Sequence, residues 1–442
     1  MEIEKPRPFF DGRDAVPLEM FAGRKSLCDK FAALTWNRQE KRTDFIWVIE
    51  GRSSFGKSSF ANWCRQTANL EASHGEVVMC VVSLTDKFQM SVQVGREEFY
   101  RFLYERILEA FLTRVKTGKA WRFKQKITRK FYQLYDKLHQ GEYFNFKLPP
   151  LEHAPQNPID FLQRLQMLHR AANIEIKAFV LIIDDASLCA NGPRLCGDFV
   201  MAAKKYSNNW PGGFPNFVLV LLPFPDWDHE MIELGLRRRI DDCHRLQPFD
   251  KMEILDFVQR RCRETGWHFD IDTFVPALHA MSGGIPFLLQ QIGAGACRSS
   301  ERRAPGRFHL NAEDVFHAVI GEDAHVTRTV RDTIHSVFRF DPKLVIANEY
   351  ESKLLPHFYR AKPLEAWNGP AVSEAIPLMT KAEWKNRVLN PFDKTPPYQQ
   401  AFEKIWEALS RHGLLVHADQ QPGKYSFCAE AIRHYFDRYN PR

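Results

Sequence analysis

An apolar, β-branched run at Phe45–Ile49 leads straight into Gly51-Arg52-Ser53-Ser54-Phe55-Gly56-Lys57-Ser58, and a helical pattern follows over Ser58–Glu71. No other stretch of the chain constrains its fold as tightly. The octapeptide fits G-x-x-x-x-G-K-[ST], and a strand before it with a helix behind it is the setting in which such a loop wraps phosphate. Its glycines let backbone amides approach anionic oxygens closely. The helix behind the loop turns its N-terminus, with its unpaired N–H groups, toward the same anion. On this reading Gly51, Arg52, Ser53, Ser54, Phe55, Gly56, Lys57, Ser58 and Ser59 contact a nucleotide. Lys57 reaches the β- and γ-phosphates and the Ser58 hydroxyl ligates Mg²⁺, so ATP and Mg²⁺ are the expected cofactors.

Three further apolar runs, Val77–Leu84, Phe179–Ile183 and Phe217–Leu222, are nearly continuous and do not alternate. Strands of a parallel sheet covered on both faces read this way. Helical patterns fall between them, as at Pro158–Ala172, and the alternation predicts an open α/β sheet clothed by helices. The third run ends in Asp184-Asp185. An acid at the end of a buried strand beside a phosphate loop can hold Mg²⁺ through water, which suits Asp184. Asp185 is then placed to orient or deprotonate an attacking water.

After about residue 250 the pattern turns helical. Lys251–Thr265 carries Ile254, Leu255, Val258 and Cys262 at helical spacing, and Asn311 is an N-cap for a helix through Ile320. Near the C-terminus a helix at Tyr398–Arg411 is followed by two short strands, Leu414–Ala418 and Lys424–Phe427. Helix then hairpin is how a winged-helix module ends. The predicted domains are 1–249, 250–326 and 327–442, with residues 361–397 Pro-rich and unassigned.

With these motifs in place, the chain resembles the AAA+-type ATPases. Phe21-Ala22-Gly23-Arg24, followed by Leu27, is similar to the box that opens many of them, including the origin-recognition and archaeal ATPases and the signal-transduction (STAND) ATPases. The resemblance implies adenine contacts at Phe21, Gly23 and Arg24. Gly283-Gly284-Ile285-Pro286 resembles the element in the helical lid of the STAND and archaeal groups, where Pro286 would approach the nucleotide. An arginine is the usual residue there in other AAA+ proteins, and its absence favours the STAND-like branch. The implied fold is an α/β P-loop NTPase core with a helical lid and a C-terminal winged-helix-like domain. The nucleotide would be held between core and lid. In related ATPases an arginine near Arg237-Arg238-Arg239 reaches the γ-phosphate of the neighbouring subunit, a role that falls to Arg239 here; a solvated or partner-facing basic run explains the triplet equally well. No polar residue ends the fourth strand, which runs into Pro223-Phe224-Pro225. That departure, and the Asp-Asp pair in place of Asp-Glu, argue against fast hydrolysis.

Charge adds a second theme. The chain carries 61 Lys/Arg against 54 Asp/Glu, a formal net charge of +7. Residues 96–150 hold thirteen of the basic residues and six of the acidic ones, a surplus equal to that of the whole chain. Between Thr113 and Leu134 stand Arg114, Lys116, Lys119, Arg122, Lys124, Lys126, Arg129 and Lys130 with no acid among them, and Trp121, Phe123, Phe131 and Tyr132 are interleaved. Basic groups contact phosphates and aromatics stack on bases, so DNA or RNA contact is one expectation for this insertion-like segment. An amphipathic hairpin with a solvated or protein-binding basic face is the other.

The remaining composition narrows the class. The nine cysteines include no C-x-x-C pair, and the sixteen histidines show no metal-ligand spacing. No apolar run approaches the roughly 20 residues of a membrane span. These features predict a soluble, cytoplasmic protein with reduced thiols, and the resemblance implies that it acts as a homo-oligomer or with a partner protein. Three roles remain open: a nucleotide-dependent switch or assembly factor on DNA, a signalling ATPase that oligomerises on sensing a protein ligand, or a nucleotide-binding scaffold that barely hydrolyses.

Overall fold

A computed structural model of the chain describes residues 7–9, 21–35, 44–51, 55–70, 77–89, 92–117, 155–172, 178–187, 189–208, 216–224, 227, 231, 233–320, 326, 328, 353–354, 379–392, 395–411, 415–417 and 424–427. The chain divides into two compact units. A sheet unit comprises Lys25–Gly51 and Lys57–Leu246; a largely helical unit comprises Met1–Arg24, Arg52–Gly56 and Gln247–Arg442.

In the sheet unit, β1 (Asp44–Glu50), β2 (Val77–Ser83), β3 (Ala178–Asp184), β4 (Asn216–Leu222) and β5 (Asp242–Arg245) pair in parallel in the order β2-β3-β4-β1-β5. Ser83, Asp184 and Leu222 stand in register, so the carboxyl ends of three strands finish along one edge. From the end of β1 the chain leaves through a helix to β2 at the far edge of the sheet. Open α/β sheets bind ligands at such a switch point, outside the carboxyl ends of the strands. Every residue of β3 is buried, which explains its unbroken apolarity. The fifth strand, Asp-Cys-His-Arg, is a short polar edge that no hydrophobic pattern announces.

The sheet is covered by α1 (Lys25–Thr35), α2 (Lys57–Leu70), α3 (Arg96–Thr117), α4 (Pro158–Ala172) and α5 (Gly192–Asn208). Helix α3 changes the reading of the 96–150 segment. Phe99, Tyr100, Phe102, Leu103, Ile107 and Phe111 on it are buried, and it packs on β2. The first part of the segment is therefore sheet-covering core, stabilised at about 1.5–3 kcal/mol for each large side chain removed from water. Its acids and bases pair along the helix surface, as in Arg101 with Glu97 and Arg106 with Glu109. Aromatic edges continue the core: Phe161 meets Phe199 at 5.0 Å and Phe199 meets Phe217 at 5.9 Å, both edge-to-face. Residues 118–154 lie outside the described set.

The helical unit contains α6 (Lys251–Thr265), α7 (Ile271–Ser282), α8 (Pro286–Arg303) and α9 (Ala312–Ile320), with a two-stranded parallel pair β6 (His268–Phe269) and β7 (His309–Leu310). Asp250 and Glu253 form a capping box at the start of α6, and Gly266 ends it in the left-handed conformation at φ 70°. The expected N-cap at Asn311 is present: its Oδ1 accepts from the Asp314 N–H at 3.2 Å. The N-terminal segment also belongs to this unit. Phe9 is fully buried, 5.8 Å from the Phe257 ring and 6.4 Å from that of Phe274. Helix α8 makes room for it with Gly293, where a Cβ would come within 2.6 Å of the Phe9 ring.

The C-terminal part of this unit holds β8 (Met379–Thr380), α10 (Lys381–Leu389), α11 (Pro396–Arg411), β9 (Leu415–His417) and β10 (Lys424–Phe427). The hairpin β9–β10 is antiparallel, and β8 adds a third strand against β10. Helix α10 falls inside the Pro-rich 361–397 stretch. A T-x-x-E capping box at Thr380 and Glu383 marks its start. No helix among the described residues is long and apolar enough to cross a membrane.

Six of the described cysteines are buried: Cys64, Cys80, Cys189 and Cys196 in the sheet unit, and Cys262 and Cys297 in the helical unit. Burial pushes the Cys80 and Cys262 thiols up to about 12.

Candidate functional site

The glycine loop runs from Gly51, just after β1, to Lys57, where α2 begins. A Cβ at Gly51 would be tightly placed, meeting Leu246 Cδ1 at 3.0 Å and Lys57 Cγ at 3.1 Å, so those side chains would have to give way. Gly56 adopts φ 89°, a region that side chains other than glycine's avoid, and the space beside it is open. Arg52, Ser53 and Ser54 lie outside the described residues.

Lys57 is only 5% exposed, yet it is a cation. Its Nζ donates to the Gly51 carbonyl at 2.5 Å. Burial lowers its pKa, and the nearby carboxylates of Asp185 and Asp184 work in the opposite direction. Asp184 closes β3 and is 4% exposed. Its carboxylate accepts from the Ser58 hydroxyl and, through Oδ1, from the Asp185 N–H at 3.0 Å. The expected pair of Mg²⁺ ligands, Ser58 and Asp184, is thus brought together. Both oxygens are hard donors of the kind that Mg²⁺ takes. Ser59 follows Ser58 on the first turn of α2 and is half-buried.

Asp185 takes a left-handed backbone at φ 55°. An L-residue does so at a cost, least for Asp and Asn, and such strain gathers at functional positions. Burial raises its pKa, the neighbouring Asp184 raises it further, Lys57 pulls it back and Asp86 adds to the rise, leaving it at about 7. Asp86 sits in the one-turn helix after β2 and also raises Asp184. Nothing in the sequence singles out Asp86, because its part depends on the register that sets the end of β2 beside the end of β3.

These shifts carry a pH dependence. A carboxyl whose pKa is raised on folding from 3.8 toward 7 costs nothing when both states are protonated. Stability is lost as pH rises through that window and the loss is complete above it. Nucleotide-free Asp185→Asn should therefore unfold at a higher denaturant midpoint than the parent at pH 7.5 and at the same midpoint at pH 3, below the unfolded-state pKa. Equal midpoints at both pH values would show that Asp185 is not held against its charge.

The 21–24 box is fixed within the helical unit. The Gly23 N–H donates to Asp256 Oδ2 at 3.4 Å, and the Arg24 N–H to Glu253 Oε1 at 3.2 Å. Arg260 Nη1 donates back to the Phe21 carbonyl at 3.3 Å. The Arg24 guanidinium donates to the carbonyls of Gln247 at 2.5 Å and Phe55 at 3.4 Å, and lies 4.7 Å from the Phe249 ring centroid. Gly23 and Arg24 both have positive φ, at 74° and 56°. The box is thus joined to Phe55 of the phosphate loop, although Phe21 itself is buried.

Pro286 is the first residue of α8, half-buried, after a turn in which Gly283 and Gly284 are left-handed. Gly284 accepts from the Phe249 N–H at 2.8 Å and has no room for a Cβ. Arg239 lies in an exposed turn of helix over Arg237–Arg239. It lines a shallow cavity of about 600 Å³ with Arg96, Ile159, Asp198, Met201 and Lys205, and is not among the groups acting on Lys57, Asp184 or Asp185. Arg114 and Lys116 fall on the last turns of α3, with their side chains outside the described set; Lys119, Arg122, Lys124, Lys126, Arg129 and Lys130 lie wholly outside it.

No protein-family model matches the chain, and no curated protein does. Solved structures do. The ORC2 protein of Aeropyrum pernix, in its ADPNP–ADP complexes, is 14% identical with a TM-score of 0.56, over 98% of this chain and 97% of that one. Its ADP form gives 14% and 0.48 over 97% and 96%. The Aeropyrum pernix ORC1 protein in complex with DNA gives 14% and 0.43 over 98% and 96%. The first of these likenesses shows the fold: the chain shares the architecture of that ORC2 protein, with a five-stranded parallel sheet and surrounding helices.

Proposed function

We propose that the chain is an ATP-dependent switch or assembly factor that acts on DNA. The observation that carries the nucleotide half is the buried Lys57, held at the end of the glycine loop beside a hydrogen-bonded Ser58–Asp184 pair. Burying a lysine beside two carboxylates costs the fold desolvation, and a phosphate loop is where that cost serves anion binding. Lys57 is read as the phosphate ligand, Ser58 and Asp184 as the residues that hold Mg²⁺, and Asp185 as the group that takes a proton from water. Bound Mg²⁺ supplies charge neutralisation at the β- and γ-oxygens. Asp185 is well tuned for its part, since a base with a pKa near the working pH combines availability with driving force. Phe21, Gly23 and Arg24 are read as adenine-side residues, together with Pro286. Arg239 is read as the residue offered to a neighbouring subunit. Turnover is expected to be slow, because the end of β4 supplies a phenylalanine where a polar side chain would orient water.

The DNA half rests on the basic, aromatic stretch between Thr113 and Leu134. Neutralising Lys124, Lys126, Arg129 and Lys130 should weaken DNA binding and flatten its dependence on salt, by a slope of about 0.9 for each phosphate that the variant no longer neutralises. Filter binding across a salt series measures it, and an unchanged slope would remove DNA from the proposal. The winged-helix-like end of the chain is read as a packing module more than a groove reader. Glu403 on α11 is clasped by Lys381 at 2.6 Å and Lys385 at 2.8 Å from α10, so these charges are spent inside the module.

That internal pairing is the observation favouring the second role, a signalling ATPase without nucleic acid. Size measurement with and without ATP and DNA separates the two. Assembly that needs ATP and a protein ligand but never DNA supports the second.

A further inference from the structure

Lys57 has one neighbour that phosphate chemistry does not require. Beyond the end of β4 the chain passes through Pro223 into Phe224, and Lys57 Nζ lies 4.5 Å from the centroid of the Phe224 ring. Two hydrogen bonds, one backbone–backbone and one from a backbone N–H to a side-chain hydroxyl, fix that corner from two sides. The Gly51 N–H donates to the Pro223 carbonyl at 3.3 Å, and the Phe224 N–H donates to Ser187 Oγ at 2.9 Å. Gly51 opens the phosphate loop, and Ser187 belongs to the turn that carries Asp185. The Pro223–Phe224 step is therefore tied to the loop on one side and to the acidic turn on the other. Its ring is presented to the lysine by backbone geometry.

A ring face attracts an ammonium through its quadrupole but does not neutralise it. A carboxylate at the same place would compete with phosphate for the charge. An aliphatic side chain would offer the buried cation nothing. An aromatic ring leaves the charge available to an anion while lowering the cost of keeping it out of water. The same contact restrains the long lysine side chain, so less freedom is lost when phosphate binds.

We propose that Phe224 is a positioning residue for Lys57: its ring holds the ammonium at the phosphate loop and sets the affinity for the β- and γ-phosphates of a nucleotide. The proposal deepens the ATP reading of this site and rests on it. Phe224→Leu keeps the apolar bulk and removes the ring face, whereas Phe224→Tyr keeps the face. Phe224→Met repeats the loss should the leucine variant fold poorly.

Two measurements on the full chain test it. In protein labelled at lysine Cε, the Lys57 resonance, assigned by its loss in Lys57→Arg, should carry an upfield ring-current shift. That shift should persist in Phe224→Tyr and vanish in Phe224→Leu, with no nucleotide present. In calorimetric titrations Phe224→Leu should weaken ATP binding by about 5- to 30-fold, the range of a desolvated cation–ring contact. AMP affinity should be unchanged, and Phe224→Tyr should lie within about twofold of the parent. A missing ring-current shift, or a tyrosine variant as weak as the leucine one, overturns the role of the ring. ATP affinity lost in Lys57→Ala but intact in Phe224→Leu overturns it as well. ATP affinity that survives Lys57→Ala overturns the ATP reading itself, and the assignment of affinity to Phe224 with it.

Discussion

Lys57→Met should leave a folded protein that no longer turns over ATP. The side chains have similar reach, and the methionine removes a cation whose burial already lowers its pKa. The fold therefore loses little. The site loses the only lysine that the loop motif provides, and the charge facing Asp184 and Asp185 goes with it. Removing one preorganised donor from a site of this kind lowers turnover by about 10²–10³-fold. ATP affinity should fall in parallel, because Lys57 is read as touching the phosphates in ground and transition states alike. Phosphate release at saturating ATP, set beside far-UV circular dichroism, checks both halves. Turnover within about threefold of the parent in a folded variant would remove the enzyme assignment, since a loss that small is under 1 kcal/mol of barrier.

The second large effect lies far along the chain from that chemistry. Phe9→Ala should destabilise the helical unit by about 3–5 kcal/mol, the usual range for a large aromatic deleted from a core. Phe9 is fully buried against Phe257 and Phe274 and sits over Gly293. The residues before it hold it in place: Arg7 pairs with Glu301 at 2.7 Å, and Arg261 Nη1 donates to the Pro8 carbonyl at 3.4 Å. Arg261 is itself a buried cation, pulled down to about 9 by burial and lying 4.1 Å from the Phe257 ring. Emptying the Phe9 position thus disturbs a cluster in which a charge is already held out of water. Urea unfolding followed by circular dichroism measures the loss. A change under about 1 kcal/mol would mean that the N-terminal segment rests on the unit without being part of its core.

How much of this is legible in the sequence depends on where the information is stored. Three of the four apolar strands, β1, β3 and β4, are readable because they are buried on both faces, and β2 at the sheet edge stays apolar although one of its faces is only half-buried. The glycine loop is readable because its chemistry needs fixed residue types at fixed spacing. Asp184 follows from it. Helix α3 is harder. It buries aromatics around much of its circumference, which blurs the 3.6-residue period, and the basic stretch that follows hides where the helix belongs. The polar strand β5 has no hydrophobic signature because it borrows its order from β1. Asp86, Ser187 and Phe224 reach the site from three different strand ends. Only the parallel register of β2, β3 and β4 brings those ends together, and register is not written in any one segment. The start of α10, by contrast, is written locally in Thr380 and Glu383, though the prolines around it mask the signal.

The distribution of thiols has a practical consequence. Only thiolates react with alkylating reagents, and burial holds Cys80 and Cys262 at about 12. A buried cysteine in this chain is therefore silent until its surroundings open. Cys64, Cys80 and Cys196 time that opening in the sheet unit, and Cys262 and Cys297 time it in the helical unit. Once the half-buried Cys28 and Cys243 have been blocked, the described cysteines offer one clock in each unit without an engineered label. Nucleotide that binds at Lys57 should slow the clock at Cys64, which lies on the same helix. Mass spectrometry of the alkylated peptides would then read ligand binding and local unfolding in a single time course.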